Sequence, residues 1–123
     1  QLSFVHRVLR KSGLPDGDAL IATADDLPEP LILPLDGDGL EVGREKSPKA
    51  IASIPGLSRR HFQVTREEDG YRLKDLGAKN RVWRNAKAVE GSVAIHNGDV
   101  ISAGDLQFVV YLPEAPPEKS ENL

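Results

Sequence analysis

The sequence contains no cysteine and no methionine, and only six of its 123 residues are Phe, Tyr or Trp. The lack of cysteine removes disulfides, thiolate-bound zinc and thiol catalysis together. It leaves the compartment open, because a chain without thiols tolerates any redox poise. No apolar run approaches the roughly 20 residues that cross a bilayer. The start, QLSFVHRVLRK, has no apolar stretch of the kind found in a secretory signal. A basic excess is missing too: 16 Lys and Arg stand against 19 Asp and Glu, a formal charge of -3. That balance argues against a general nucleic-acid binder. What remains, with 39% hydrophobic and 28% charged residues, suits one packed domain of ordinary size.

Eleven glycines and nine prolines cut the chain into short pieces, as in an all-β domain. Strands are expected at Ala19–Thr23, Leu31–Leu35, Leu40–Val42, His61–Thr65, Tyr71–Asp75, Val82–Arg84, Lys87–Val89, Val100–Ser102 and Leu106–Leu112, with a brief one around Ala50–Ala52. Phe62 and Val64 then share one face, and Tyr71 and Leu73 share the corresponding face of the next strand. Asp36–Gly39, Asp69-Gly70, Asn85-Ala86 and Asn97-Gly98-Asp99 read as turns. Nine to eleven short strands so spaced predict a sandwich or barrel. The stretch 43–57 is irregular, and an irregular loop of that length is often functional. Residues 1–17 stand apart as a lead-in, in which Phe4, Val5, Val8 and Leu9 recur at helical spacing. Residues 113–123 read as a Pro/Glu-rich linker or tail, leaving 18–112 as the domain. Together these ends suggest an excerpt of a longer protein.

The mild net charge conceals an asymmetry. Residues 57–87 carry nine basic and four acidic side chains, a net of +5, and the rest of the chain carries -8. A local basic zone on an acidic domain suits one anionic group better than a long polyanion. Three loop segments hold residues able to bind such a group. Gly43-Arg44 combines a tight backbone with a planar guanidinium fork. Ser58-Arg59-Arg60-His61 offers a hydroxyl, loop amides and cations. Asp75-Leu-Gly-Ala-Lys79-Asn80 adds a point charge and a side-chain amide that both donates and accepts.

In order, spacing and strand context, Gly43-Arg44, Ser58-x-x-His61, Asp75-Leu-Gly-x-x-Asn80, Asn85 with Val89, Gly98-Asp99-x-Ile101 and Gly104…Phe108-Val-Val110 resemble the forkhead-associated (FHA) domain family. The resemblance covers about residues 19–112. It implies an all-β, FHA-like sandwich of about eleven strands with binding loops at one end. It also implies recognition of phosphothreonine peptides, a phospho-motif mode that relies on Arg clusters. Carried over residue by residue, Arg44 meets the phosphate or the adjacent peptide backbone, and Ser58 donates to a phosphate oxygen. Arg59 and Lys79 make secondary phosphate contacts, and Asn80 clamps the peptide main chain. His61 buttresses the loop that holds Ser58, and Gly43 and Gly77 support the site.

The sequence departs from the family at Ala78, where a serine is usual, and at Arg81-Val82, where Gly-Thr usually follows the asparagine. Arg81 is expected to alter the loop and to reach an acidic residue of the ligand. The alternative is an FHA-like scaffold that binds partners without phosphate.

Ser58 and His61 lack the third member and oxyanion hole that a hydrolase needs, so no catalysis is expected. His6, His61 and His96 are too scattered for a metal site. Asp36, Asp38 and Glu41 fit a hairpin turn better than a calcium loop. No cofactor, nucleic-acid partner or membrane insertion is expected. The partner implied is a phosphothreonine protein or peptide, met in the cytoplasm, and the host a larger signalling or regulatory protein.

Overall fold

The computed structural model describes residues 17–113. The lead-in before Gly17 and the tail after Pro113 lie outside the described residues. Among the described residues, ten strands form two antiparallel sheets. They are β1 (Ala19–Thr23), β2 (Leu31–Pro34), β3 (Gly39–Val42), β4 (Phe62–Glu67), β5 (Gly70–Asp75), β6 (Val82–Arg84), β7 (Lys87–Ala88), β8 (Ser92–Ile95), β9 (Val100–Ala103) and β10 (Leu106–Tyr111). One sheet runs β2-β1-β10-β9-β6-β7 and the other β3-β4-β5-β8.

Alternation explains the sandwich. In β4 and β5 the residues Phe62, Val64, Tyr71 and Leu73 are buried, and their neighbours along the strands are not. From the six-stranded sheet, Leu20, Ala22, Ile101, Ala103, Phe108 and Val110 meet them in one core cluster. Phe62 and Phe108 join the two sheets edge to face, with centroids 5.1 Å apart. Each buried ring contributes about 1.5–3 kcal/mol. The Tyr71 hydroxyl donates to Asp18 Oδ2 at 2.8 Å, tying the start of β1 to the four-stranded sheet.

Two features differ from the sequence expectation. Residues 50–52, expected to be a brief strand, lie in one helical turn, α1 (Lys49–Ala52). Ala-Ile-Ala fits either period, and Ile51 alone turns fully inward, with Pro48 at the N-cap position. Strand β8 was not anticipated, because Ser-Val-Ala-Ile offers two strong strand formers and one buried side chain. Its pairing with β5 supplies the order: Tyr71 faces Ile95 and Leu73 faces Val93. Ten strands are thus described where about eleven were implied.

Register positions the loops. Val42 pairs with Phe62, and Phe62 pairs with Asp75. These residues form one rung across β3, β4 and β5, so the loops beginning at Gly43, ending at His61 and beginning at Leu76 emerge side by side.

Candidate functional site

Backbone bonds lock the first two loops together. Arg44 N–H donates to the Ser58 carbonyl at 3.0 Å, Glu45 N–H to Arg59 at 3.2 Å, and His61 N–H to Val42 at 2.8 Å. This contact requires Gly43. A Cβ there would collide with the Arg59 carbonyl oxygen and lie 2.7 Å from its carbon and 2.8 Å from Arg60 Cα. The Gly43 N–H also donates to Ser47 Oγ at 3.1 Å, closing the turn that carries Arg44.

His61 is 0% exposed and joins the second loop to the third. Its Nδ1 accepts from Ser58 N–H at 3.0 Å, so Nε2 carries the proton and donates to the Asn80 carbonyl at 2.8 Å. Burial lowers its pKa below the ordinary imidazole value, against an opposing effect of the Asn80 carbonyl and of Asp75. The ring is therefore held neutral, in the tautomer these two bonds require.

The third loop is shaped by Asp75, whose Oδ1 accepts from the N–H groups of Gly77 at 2.9 Å and Ala78 at 3.1 Å. This Asx turn carries the chain through Gly77 at φ +85°, a left-handed conformation that glycine takes without strain. Sequence reasoning left Asp75 out of the site, although Asp-Leu-Gly is itself a turn signal. The turn presents Lys79 N–H to Ser58 Oγ at 3.0 Å. The Ser58 hydroxyl thereby accepts from within the protein and keeps its own proton to donate. Asn80 Nδ2 donates one of its two hydrogens to the Gly56 carbonyl at 2.7 Å, which fixes the orientation of the amide. Its Oδ1 has no partner among the described residues.

The cations divide into two kinds. Arg60 is engaged, forming a two-pronged pair with Glu41 at 2.9 and 3.1 Å. That pair holds the Glu41 carboxyl below its usual pKa and raises that of Arg60, in each case chiefly through the hydrogen bond. Arg44, Arg59, Lys79 and Arg81 are exposed and make no side-chain ion pair or hydrogen bond among the described residues. Three of the four ride on the loops that meet at Ser58; Arg81 follows immediately after Asn80.

Beside this junction a shallow groove of about 550 Å³ is lined by Gly56, Lys79, Asn80, Arg81, Trp83 and Asp105, among others. Among the described residues, left-handed backbone outside glycine occurs only at Asn85 and Ala86, so Arg81 fits the loop without needing a glycine's conformation. Val82 is fully buried at the start of β6, where its side chain belongs to the core rather than to the site. No group of three His, Asp or Glu among the described residues could hold a metal ion. No described helix is long and apolar enough to cross a membrane.

The FHA domain family matches residues 40–104, which include all three loops. The chain belongs to the FHA domain family. A curated relative, the oxoglutarate dehydrogenase inhibitor of Corynebacterium jeikeium, is 30% identical over 97 residues, spanning 79% of this chain and 67% of that protein. Among solved structures, the FHA domain of the CT664 protein from Chlamydia trachomatis is similar at a TM-score of 0.67 and 20% identity, over 78% of this chain and 97% of that one. The N-terminal FHA domain of S. cerevisiae Rad53p, solved with a phosphothreonine peptide, is similar at 0.59 and 25% identity, over 80% and 94%. FHA domains are interaction modules, and the loops at this end of the present FHA domain form its candidate site.

Proposed function

We propose that this FHA domain binds phosphothreonine-containing segments of other proteins and so mediates phosphorylation-dependent association within a larger signalling or regulatory protein, in the cytoplasm. The observation that carries the reading is the Ser58 hydroxyl, fixed by Lys79 N–H with its proton free, among cations that no carboxylate occupies. A phosphothreonine brings roughly −1.5 to −2 charges and three acceptor oxygens. Arg44 supplies a fork for two of those oxygens, Ser58 donates a hydroxyl proton, and Lys79 and Arg59 add charge. Asn80 Oδ1 accepts an amide N–H of the bound segment. The loops are bonded to one another beforehand, so little ordering entropy is lost on binding. Arg81 in the neighbouring groove favours an acidic side chain downstream of the phosphate.

The test is a calorimetric titration with a degenerate phosphothreonine peptide pool and its unphosphorylated counterpart, repeated with Arg44→Ala. Binding of the phosphorylated pool alone, lost in the variant, is expected. Equal binding of both pools would instead establish the phosphate-independent scaffold.

A further inference from the structure

Ser47 is the one serine or threonine of the chain that is followed by proline, and the one with arginine three residues before it. It sits in the first loop of the site. Arg44, Glu45, Lys46, Pro48 and Lys49 are exposed there, and Ser47 between them is half-buried. The Ser47 N–H donates to the Gly43 carbonyl at 3.1 Å, and Ser47 Oγ accepts from the Gly43 N–H at 3.1 Å. Residues 43–47 are thus closed as a single i→i+4 turn. Positions three apart on such a turn are neighbours, with Cβ atoms about 5–6 Å from each other, which brings Ser47 beside Arg44. The proton of the Ser47 hydroxyl has no acceptor among the described residues. Segment 44–49 carries three cations and one carboxylate, a net of +2. None of those three cations forms an ion pair among the described residues.

We propose that Ser47 is the acceptor of a protein kinase, and that its phosphate engages Arg44 and closes the site to phosphothreonine ligands. Proline after the serine and arginine before it are features that serine/threonine kinases read, and the exposed loop presents them on the folded domain. In the transfer, a nucleoside triphosphate loses its γ-phosphoryl group. The bond from the γ-phosphorus to its bridging oxygen breaks, the bond from phosphorus to Ser47 Oγ forms, and the hydroxyl proton passes to the kinase's base. The product carries roughly −1.5 to −2 charges and three acceptor oxygens, set beside the Arg44 fork. The turn cannot slide away from the site, because Gly43 packs against the Arg59 backbone and Arg44 N–H is bonded to the Ser58 carbonyl. The new dianion therefore occupies the guanidinium that the ligand needs and repels the ligand's own phosphate. The closing effect rests on the phosphothreonine reading above; the acceptor and its contact with Arg44 do not.

The test treats the full 123-residue chain with ATP and a proline-directed kinase and, separately, an arginine-directed one. A phosphate mapped to Ser47 by mass spectrometry, and missing there in Ser47→Ala, is expected with at least one of them. By phosphorus NMR its second ionisation is expected below the ordinary value of about 6, and to move back up in Arg44→Ala. Calorimetry with the phosphothreonine pool is expected to show affinity reduced at least about tenfold, with the circular dichroism spectrum unchanged. No phosphate at Ser47 with either kinase, an ionisation indifferent to Arg44→Ala, equal pool affinity before and after modification, or loss of the folded spectrum would each overturn the inference. A chain that binds no pool even when unmodified overturns the function proposed above, whereas failure at Ser47 or Arg44 with the pool still bound overturns this inference alone.

Discussion

Replacing His61 with phenylalanine keeps a ring of similar size in the core and deletes both of its hydrogen bonds. Ser58 N–H and the Asn80 carbonyl then lose their partners. An unsatisfied buried group costs about 1–3 kcal/mol, so the variant should lose about 2–4 kcal/mol, with the lower end reflecting partial access of water to Ser58. For a domain of this size that is a fall in Tm of roughly 10–25 °C. The pH dependence has a definite sign. Burial holds the folded-state pKa of His61 below its unfolded value of about 6.5. Its contribution is therefore complete above about pH 6.5, and is lost as pH falls through the window down to the depressed folded value, where the unfolded chain binds a proton that the native chain refuses. Urea titrations followed by circular dichroism at pH 7.5 and 5.5, for wild type and His61→Phe, separate the two effects. Wild type should weaken at the lower pH by more than the variant. A stability loss under about 1 kcal/mol, or the same decline between the two pH values in both proteins, would refute the bridging role assigned to this ring.

Gly43→Ala should destabilise the domain by about 1–3 kcal/mol in the same titration, because its Cβ meets the backbone of Arg59 and Arg60, which cannot swing aside. Ser58→Ala should lower stability by only about 1 kcal/mol through loss of the Lys79 N–H contact, yet weaken phosphopeptide binding at least about tenfold by calorimetry. Asp99→Ala should cost about 2–4 kcal/mol by urea unfolding, since its carboxylate accepts from His96 N–H at 2.8 Å and Asn85 Nδ2 at 3.0 Å and faces Arg84 Nη1 at 3.4 Å. Ala86→Gly should raise stability by about 0.5–1 kcal/mol, because Asn85 and Ala86 turn the β6–β7 hairpin at φ 50° and 69°, where Asn-Gly is the favoured pair.

Strands with clean alternation were legible because period-2 patterning writes burial directly into the residue order, as in Phe62-Gln-Val-Thr and Tyr71-Arg-Leu-Lys. β8 was not, since its identity rests on the partner β5 rather than on its own composition. α1 was misread because four residues are too few to distinguish the two periods. At the site, residue types announced an anion-binding chemistry, but their division of labour came from geometry. Arg59 and Arg60 are adjacent and alike in sequence; Glu41, opposite in space, engages one and leaves the other free. Asn80 similarly revealed its commitment to Gly56 only once the two loops were brought together. Asp99 read as a turn residue, and only the fold brings the Asn85 side chain and the Arg84 guanidinium to the same buried carboxylate that accepts from His96 N–H.

The pairing of Ala19 with Tyr111 has a consequence for how such a domain sits in a longer chain. β10 starts beside the Gly104–Asp105 turn that borders the groove and runs for six residues to Tyr111, so Ala19 and Tyr111 lie at the pole opposite the three loops. The points where the chain enters β1 and leaves β10 are thus separated from the site by the length of a strand, about 20 Å. A phosphorylated segment of the same polypeptide would need at least six extended residues of slack before it could compete with an outside ligand. Tether length thus becomes a tunable parameter: short flanks keep the site open to partners, and long ones permit self-occupation.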